Sequence, residues 1–116
     1  MPKRKLDPLP SAAFQILLSL ADEALHGYGI MRKVEGQTNG RVRLGPGTLY
    51  SSIQALLADG LIEELIRSKS AGGGDERRRC YRITSAGRKL ARSEAERLAD
   101  LLRVARARKI LGGEYV

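Results

Sequence analysis

The sequence predicts a mostly α-helical fold that also contains a small β-hairpin. Apolar residues recur every three or four positions in several segments of the 116-residue chain, which is the spacing of one helix face. Two runs rich in Ile, Leu, Tyr and Thr flank the Gly-rich stretch SKSAGGGDE, as in two paired strands with a long connecting loop. The last apolar stripe is long for a chain of this size. We therefore expect one small domain with a projecting C-terminal helix.

The N-terminal part is predicted to be an arm followed by a helix. Residues 1–10 contain the basic triplet KRK and then two prolines, which indicates a flexible basic arm. Ser11 is predicted to cap a first helix that continues through Asp22. The inner face of this helix is expected to carry Ala13, Ile16, Leu17 and Leu20.

A second helix is expected from about Tyr28 to Gln37, after the turn HGYG. His26 is expected to close that turn, with a pH-sensing role as the alternative. The Asn and Gly of TNG end the helix because both tolerate the left-handed conformation. The following RVRL is too short for an independent strand but could pair as a short stub. The inner face of the second helix consists of Ile30, Met31 and Val34.

The stretch GPGTLYSSIQALLADGLI predicts a third helix over about residues 46–59. Pro46 suits the first helical position, where its missing N–H would have had no partner. Gly60 suits the position just beyond the C-terminal end. The outer face has short uncharged side chains where an ordinary surface helix has Lys and Glu. The inner face carries Leu49, Ile53, Leu56 and Leu57.

The runs LIEELIR and RRCYRIT are predicted to pair as a hairpin with a flexible, basic tip. Residues 67–82 hold an excess of basic side chains, including the triplet at 77–79. Strand alternation directs Tyr81 and Ile83 toward the core. Cys80 is expected to be a half-buried strand cysteine, although the neighbouring arginines could instead make it redox-responsive.

Thr84 is predicted to cap a final helix that reaches about Leu111 and is roughly 40 Å long. Such a helix exceeds the diameter of the domain, so part of it must project. Its projecting apolar side needs a partner, and the same helix of a second chain is the simplest one. The residues expected at this dimer interface are Leu90, Ala91, Leu98, Leu101, Leu102 and Ala105.

The composition restricts the partners and the location of the protein. Twenty-one Lys and Arg residues against thirteen Asp and Glu give a net charge of +8, which favours nucleic acid or an acidic membrane surface. No apolar run approaches the ~20 residues of a spanning helix, and no signal peptide is recognisable, so a cytoplasmic protein without a membrane segment is expected. The single cysteine excludes an intrachain disulfide and a multi-cysteine zinc site. We expect neither a metal nor a cofactor.

The sequence has no pattern that indicates an enzyme. The Gly-rich AGGGD lacks the Lys-Ser or Lys-Thr that follows in a phosphate-binding loop. There is no metal-ligand cluster, and no nucleophile stands with a base. A catalytic function is not expected.

The order helix, helix, stub, helix, hairpin is that of a winged helix-turn-helix domain. In this arrangement the third helix enters the DNA major groove, and the hairpin, called the wing, contacts the neighbouring backbone. A groove about 12 Å wide admits a helix with short outer side chains, which accounts for the uncharged face. The residues predicted to contact DNA are Thr48, Tyr50, Ser51, Gln54, Ala55, Arg41, Arg43, Arg77, Arg78 and Arg79.

The predicted contacts differ in kind. Gln54 and Ser51 are expected at base edges, and Ala55 at a thymine methyl group. Thr48 and Tyr50 are expected at phosphates near the helix N-terminus. The arginines of the wing are expected at phosphates or in the minor groove, with simple solvated charge, or pairing to the nearby acidic residues, as the alternative.

Three motifs, in this order, resemble the PadR family of transcriptional regulators: HGYGI, LGPGTLYSSIQALLADGLI and RRRCYRITSAGRKL. The resemblance covers roughly residues 9–111. It implies a homodimeric winged-helix repressor, joined mainly through the C-terminal helix with help from the first, in a short form with a single such helix. Ser51 stands where many members have Pro, which predicts a straighter third helix. Gly87 weakens the first turn of the last helix.

These observations predict a dimeric repressor of double-stranded DNA that binds a pseudo-palindromic operator. The expected organisation is an arm at 1–10, a winged-helix domain at 11–84, a dimerisation helix at 85–112 and a tail at 113–116. A winged-helix module that binds RNA or an acidic protein is the alternative. A small-molecule effector between the first and last helices is implied by the resemblance alone.

Overall fold

In the described part of the chain, four helices pack with a small sheet. The structure, a computed structural model, describes residues 9–68 and 77–112, including the side chains of all of these except 66–68, 77 and 78. Residues 1–8 of the predicted arm, the tip of the hairpin at 69–76 and the tail lie outside the described residues. Leu9, which the prediction assigned to the flexible arm, is instead buried in the core. In chain order the elements are α1 (Ser11–Ser19), β1 (Leu25–His26), α2 (Gly27–Gln37), α3 (Pro46–Ala58), β2 (Ile62–Ser68), β3 (Arg77–Ile83) and α4 (Ser85–Ala107).

The core forms where the three N-terminal helices meet the sheet. The predicted inner faces of α1 and α3 are confirmed, since Ile16, Leu17, Ile53 and Leu56 are fully buried, with Leu57 of α3 only partly buried. The inner face of α2 is confirmed as well, with Met31 only partly buried. The remaining buried residues of the core include Leu9, Ala13, Leu20, Ile30, Val34, Leu44, Leu49, Leu61, Ile62, Tyr81 and Ile83.

The sheet is antiparallel and has the strand order β1–β3–β2. Ile62 lies opposite Ile83, and Leu25 lies opposite Tyr81. The prediction that RVRL supplies the stub strand is wrong, because residues 25–26 occupy the open edge of β3 instead. RVRL is held in another way: the Val42 N–H donates to the Thr38 hydroxyl at 3.0 Å, and the Leu44 side chain is buried.

Three predicted helix limits need correction: both ends of α1 and the end of α4. Ser11 is the first residue of α1 rather than its cap, and its hydroxyl accepts a hydrogen bond from the Gln15 amide at 3.2 Å. The helix ends at Ser19, whose hydroxyl donates to the Ile16 carbonyl at 2.7 Å. α4 ends before Leu111, because Lys109 adopts a left-handed conformation (φ 65°) that closes the helix.

The predicted signals at the ends of α3 and α4 are confirmed. Pro46 occupies the first turn of α3, and Gly60 follows the helix at φ 72°. The Gly60 N–H donates to the Leu57 carbonyl and the Leu61 N–H to the Leu56 carbonyl, which is the Schellman arrangement. The Thr84 hydroxyl accepts from the Gly87 N–H at 3.0 Å and so caps α4.

Within the residues that the structure describes, α4 contacts α1 and β3, and the side chains that it packs on the core are in its N-terminal half. Gly87 is buried there, and Leu90 and Ala91 pack partly against the core. Farther along, Leu101 and Leu102 are 50% and 52% exposed. No helix in the described ranges is long and apolar enough to cross a membrane.

Candidate nucleic-acid interface

The outer face of α3 presents three uncharged polar side chains to solvent: the short Thr48 and Ser51, and the longer Gln54. They alternate with the buried Leu49 and Ile53, which hold the helix against the core. The Ser51 hydroxyl reaches back toward the Thr48 carbonyl at 3.4 Å, so it adds little bulk to the face. The face expected from the sequence is therefore the one that α3 exposes.

Ala55 lies at the edge of this face. It is half-buried and packs against the core, so only part of its methyl group is available to a partner. The sequence pattern predicts Ala55 on the outer face, whereas the structure places it at the boundary between that face and the core.

A cleft opens beside the outer face of α3, between the start of α2 and strand β3. We call it the tyrosine cleft, since three tyrosines border it. Its lining residues are His26, Gly27, Tyr28, Tyr50, Gln54, Arg79 and Tyr81. Tyr28 and Tyr50 are 59% and 50% exposed, so both phenols are accessible from solvent.

Tyr28 was not among the residues predicted from the sequence. The available signal was its position outside the inner stripe of α2, where an exposed tyrosine has no packing role. The Arg32 guanidinium lies 5.8 Å from the centre of the Tyr28 ring, within the range of a cation–π contact. This contact places a positive charge next to the cleft.

The close approach of α2 and α3 positions Tyr50. A Cβ atom on Gly27 would lie 2.6 Å from the Tyr50 hydroxyl oxygen, so only glycine lets this phenol rest where it does. His26 caps the same turn of α2, with its Nδ1 accepting from the Gly29 N–H at 3.1 Å. The expectation that His26 closes the turn is confirmed.

The side chains of β3 point alternately to the two sides of the sheet. Arg79 and Tyr81 lie on the cleft side, whereas Arg82 lies on the opposite side of the strand. Arg79 pairs with Glu64 at 3.3 Å, and Arg82 pairs with Glu63 at 2.7 Å. Burial, and then the charge of Glu64, raises the pKa of the Tyr81 phenol, which therefore remains protonated.

The remaining predicted basic residues are placed as follows. Arg41 and Arg43 are exposed just before α3, and Arg43 pairs with Glu35 at 3.2 Å. The backbones of Arg77 and Arg78 belong to β3, but their side chains lie outside the described residues, as do residues 69–76 of the hairpin tip. The cationic side chain that the structure brings to the cleft itself is Arg79.

The apolar stripe of α4 continues from the core into solvent. Leu90 and Ala91 are partly used within the chain, whereas Leu101 and Leu102 stand exposed and Leu98 and Ala105 are half-buried. These last four side chains therefore form the part of the predicted dimer interface that the chain's own core leaves uncovered; we call them the α4 seam.

Glu94 lies on the same stripe between the core and the α4 seam, and it is 8% exposed. Its carboxylate accepts two hydrogen bonds from Arg97, at 3.1 and 2.5 Å. The hydrogen bond from Arg97 lowers the pKa of Glu94, so the carboxylate stays ionised although it is largely covered. Arg97 thus neutralises the charge of Glu94, which would otherwise stand unpaired within the apolar stripe.

No group of three or more metal-ligating side chains occurs within residues 9–68 and 77–112. Cys80 is a free, buried thiol, more deeply covered than the half-buried cysteine that was expected.

Comparison with known proteins gives a consistent result. Residues 16–93 match the model of the transcriptional regulator PadR-like family. The chain is 34% identical over 99 residues to the transcriptional regulator Rv3488 of Mycobacterium tuberculosis, covering 85% of this chain and 81% of that protein. It is 40% identical over 90 residues to an uncharacterised 37.1 kDa protein in transposon TN4556 of Streptomyces fradiae, covering 78% of this chain but only 24% of that protein.

A solved structure shares the architecture. The chain resembles Bacillus subtilis PadR in complex with operator DNA with a TM-score of 0.63 and 17% identity, over 72% of this chain and 46% of that one. This likeness confirms the winged helix-turn-helix fold predicted from the order of elements.

Proposed function

The chain belongs to the PadR-like family of transcriptional regulators, and from this premise we propose that it is a homodimeric repressor which binds a pseudo-palindromic DNA operator. Because members of the family are transcriptional regulators, the prediction that the chain is not an enzyme is confirmed. Repression then follows from occupying the promoter. The observation that carries the proposal is the exposed, uncharged outer face of α3.

In the proposed complex, α3 lies in the major groove with its outer face toward the bases. Short side chains at Thr48 and Ser51 allow the helix backbone to approach the groove floor. Gln54 is long enough to reach a base edge, and its amide can pair with the N6 and N7 atoms of adenine. Ala55 supplies at most an edge contact with a thymine methyl group, because it is half-buried.

The tyrosine cleft is proposed to receive the DNA backbone beside α3. Arg79 supplies the positive charge, and the phenols of Tyr28 and Tyr50 supply hydrogen-bond donors to phosphate oxygens. The first N–H groups of α3 add the positive end of the helix dipole next to Thr48. Arg41 and Arg43, with the wing arginines Arg77 and Arg78, are proposed to contact backbone farther along.

The proposed dimer joins two chains through the α4 seam. Exposed Leu18 of α1 lies beside Ala91 and Ala95, just before the seam, and is proposed to extend the interface. Twofold symmetry then presents two recognition helices to the same face of the duplex, about one turn or ~34 Å apart. The exposed leucines support this arrangement, since the described parts of the chain leave them uncovered.

Replacing Gln54 with alanine is expected to raise the dissociation constant for the operator about 10- to 100-fold, because a base-edge contact is lost. Binding to a scrambled duplex of equal length should change less than about twofold, since phosphate contacts persist. The measurement is fluorescence anisotropy at several salt concentrations, with the operator taken from footprinting of the duplex upstream of the chain's own gene.

The matched control is Gln37→Ala, which makes the same chemical change at an exposed position at the end of α2. It should leave binding to both duplexes unchanged. Equal losses on operator and scrambled DNA for Gln54→Ala would contradict the assigned role. Equal binding of the unmodified chain to DNA and to single-stranded RNA would instead favour an RNA-binding module.

Replacing Arg79 with alanine is expected to weaken binding to operator and scrambled DNA alike, because a phosphate contact carries no sequence information. The slope of log K against log salt should fall by about one unit, the amount for one lost phosphate contact. Arg82→Ala removes an equal charge from the opposite side of β3 and should leave the slope unchanged. A similar slope change for both variants would mean that the cleft is not the backbone site.

A further inference from the structure

The end of the recognition helix and the start of the dimerisation helix are tied together at one point. The Thr84 hydroxyl donates to the Gly60 carbonyl at 2.8 Å and accepts from the Gly87 N–H at 3.0 Å. The Thr84 N–H donates to the Leu61 carbonyl at 3.1 Å. One residue therefore bonds both to the turn that ends α3 and to the first turn of α4. We call these three bonds the clasp.

The backbone around the clasp is closely packed. A Cβ atom on Gly87 would lie 2.1 Å from the Leu61 carbonyl oxygen, so the first turn of α4 presses directly on that peptide group. The same peptide group cannot move alone, because the Leu61 N–H closes the end of α3 through the Leu56 carbonyl at 2.9 Å. A rotation of α4 at this point therefore displaces the C-terminal end of α3.

We infer that Thr84 is a positioning residue which sets the half-site spacing that the protein accepts. The inference rests on the proposed dimer and its operator. α3 and α4 each pack on α1, and the clasp adds the hydrogen bonds that fix the angle between them. In a dimer joined through α4, that angle determines where each recognition helix meets the DNA.

The geometry sets the precision that is required. A helix of 13 residues is about 20 Å long, so a tilt of about 10° at one end moves the other by about 3.4 Å, the rise of one base pair. One base pair also turns the second half-site by about 35° around the duplex axis, so a joint must yield in both tilt and rotation before it accepts an operator whose spacing is wrong by one base pair. A clasp that holds the angle rejects such an operator.

Three substitutions at Thr84 separate this role from helix capping. Thr84→Asp keeps an acceptor for the Gly87 N–H, since Asp is a good N-cap, but it cannot donate to the Gly60 carbonyl. Thr84→Val removes both side-chain bonds at nearly constant shape. Thr84→Ser keeps both and is the matched control. Circular dichroism melting establishes that each variant is folded, and Thr84→Asp retains its cap should the valine variant fail to fold.

The test measures binding to four duplexes: the operator, the operator with one base pair added or removed between the half-sites, and a single half-site. The unmodified chain and Thr84→Ser should bind the altered spacings at least about tenfold more weakly than the operator, since the second half-site is no longer reached properly. For Thr84→Asp and Thr84→Val this ratio should fall to about threefold or less, with half-site affinity unchanged within about twofold.

Retention of the full ratio by Thr84→Asp would overturn the inference, as would an equal loss on all four duplexes including the half-site. Failure of the unmodified chain to prefer the operator over a scrambled duplex would overturn the proposed function, and the inference with it. Failure of the inference and failure of the proposed function can be told apart, because the second is measured on the unmodified chain, without any substitution at Thr84.

Discussion

Replacing Gly87 with alanine is expected to lower the free energy of unfolding by about 3 kcal/mol, because the added methyl group has no space. Its carbon would lie 2.1 Å from the Leu61 carbonyl oxygen and 2.9 Å from Cγ1 of Ile83. The first of these is a backbone atom, so no rotamer change relieves the contact. Alanine is favoured over glycine inside a helix by about 1 kcal/mol, and the steric effect exceeds that gain. Urea denaturation followed by circular dichroism measures the difference.

Gly36 provides the matched control. It also lies within a helix, but a Cβ atom there would meet nothing within 4 Å. Gly36→Ala should therefore raise the free energy of unfolding by about 0.5–1 kcal/mol, the intrinsic preference of helices for alanine. Equal stabilisation by both substitutions would show that α4 does not approach Leu61 as closely as the structure has it.

Replacing Leu101 and Leu102 together with glutamate is expected to convert the proposed dimer to monomers. Both side chains are about half exposed in the single chain, so the winged domain should keep its stability to within about 0.5 kcal/mol. Two such carboxylates on each chain would be buried without partners in an α4–α4 interface, which is strongly unfavourable. Sedimentation equilibrium measures the change in mass.

Loss of the dimer should also weaken operator binding by a factor of about 10² to 10⁴, because the second half-site no longer binds as part of one molecule. Affinity for a single half-site should persist. Ser93→Glu adds a carboxylate to an exposed position away from the apolar stripe of the same helix and should leave the mass unchanged. A double variant that remains dimeric would show that the subunits meet elsewhere.

Both ends of α3 and the start of α4 could be predicted from the sequence, because residue types at a helix end act within a few neighbouring residues. Pro46, Gly60 and Thr84 were assigned from their residue types, and each occupies the predicted position, because the chemistry of a helix end involves only adjacent residues. The short strand β1 was not predicted. Two residues carry no periodicity, and their extended conformation depends on the open edge of β3, which is distant in the chain.

The candidate site likewise has features that the sequence shows and features that depend on packing between distant segments. The outer face of α3 could be predicted because an absence of charge is visible in the sequence itself. The sequence shows that Tyr28 lies outside the inner stripe of α2, but not that it borders the same cleft as Tyr50, since this depends on how α2 packs beside α3. The partial burial of Leu90 likewise depends on α1 and β3, which cover that stretch of α4.

The single stripe of α4 also restricts how this chain can change in length. Its first part fills the core near Gly87 and Ala91, and its continuation forms the α4 seam, so both must face the same direction. One residue inserted between Ala91 and Leu98 would turn the seam by about 100° relative to the winged domain. Seven inserted residues would restore the facing to within about 20° and lengthen the helix by about 10 Å. Insertions and deletions in this stretch are therefore compatible with assembly only in steps close to whole helical turns, of which about seven and about eleven residues preserve the facing best, and each step would select a differently spaced pair of DNA sites.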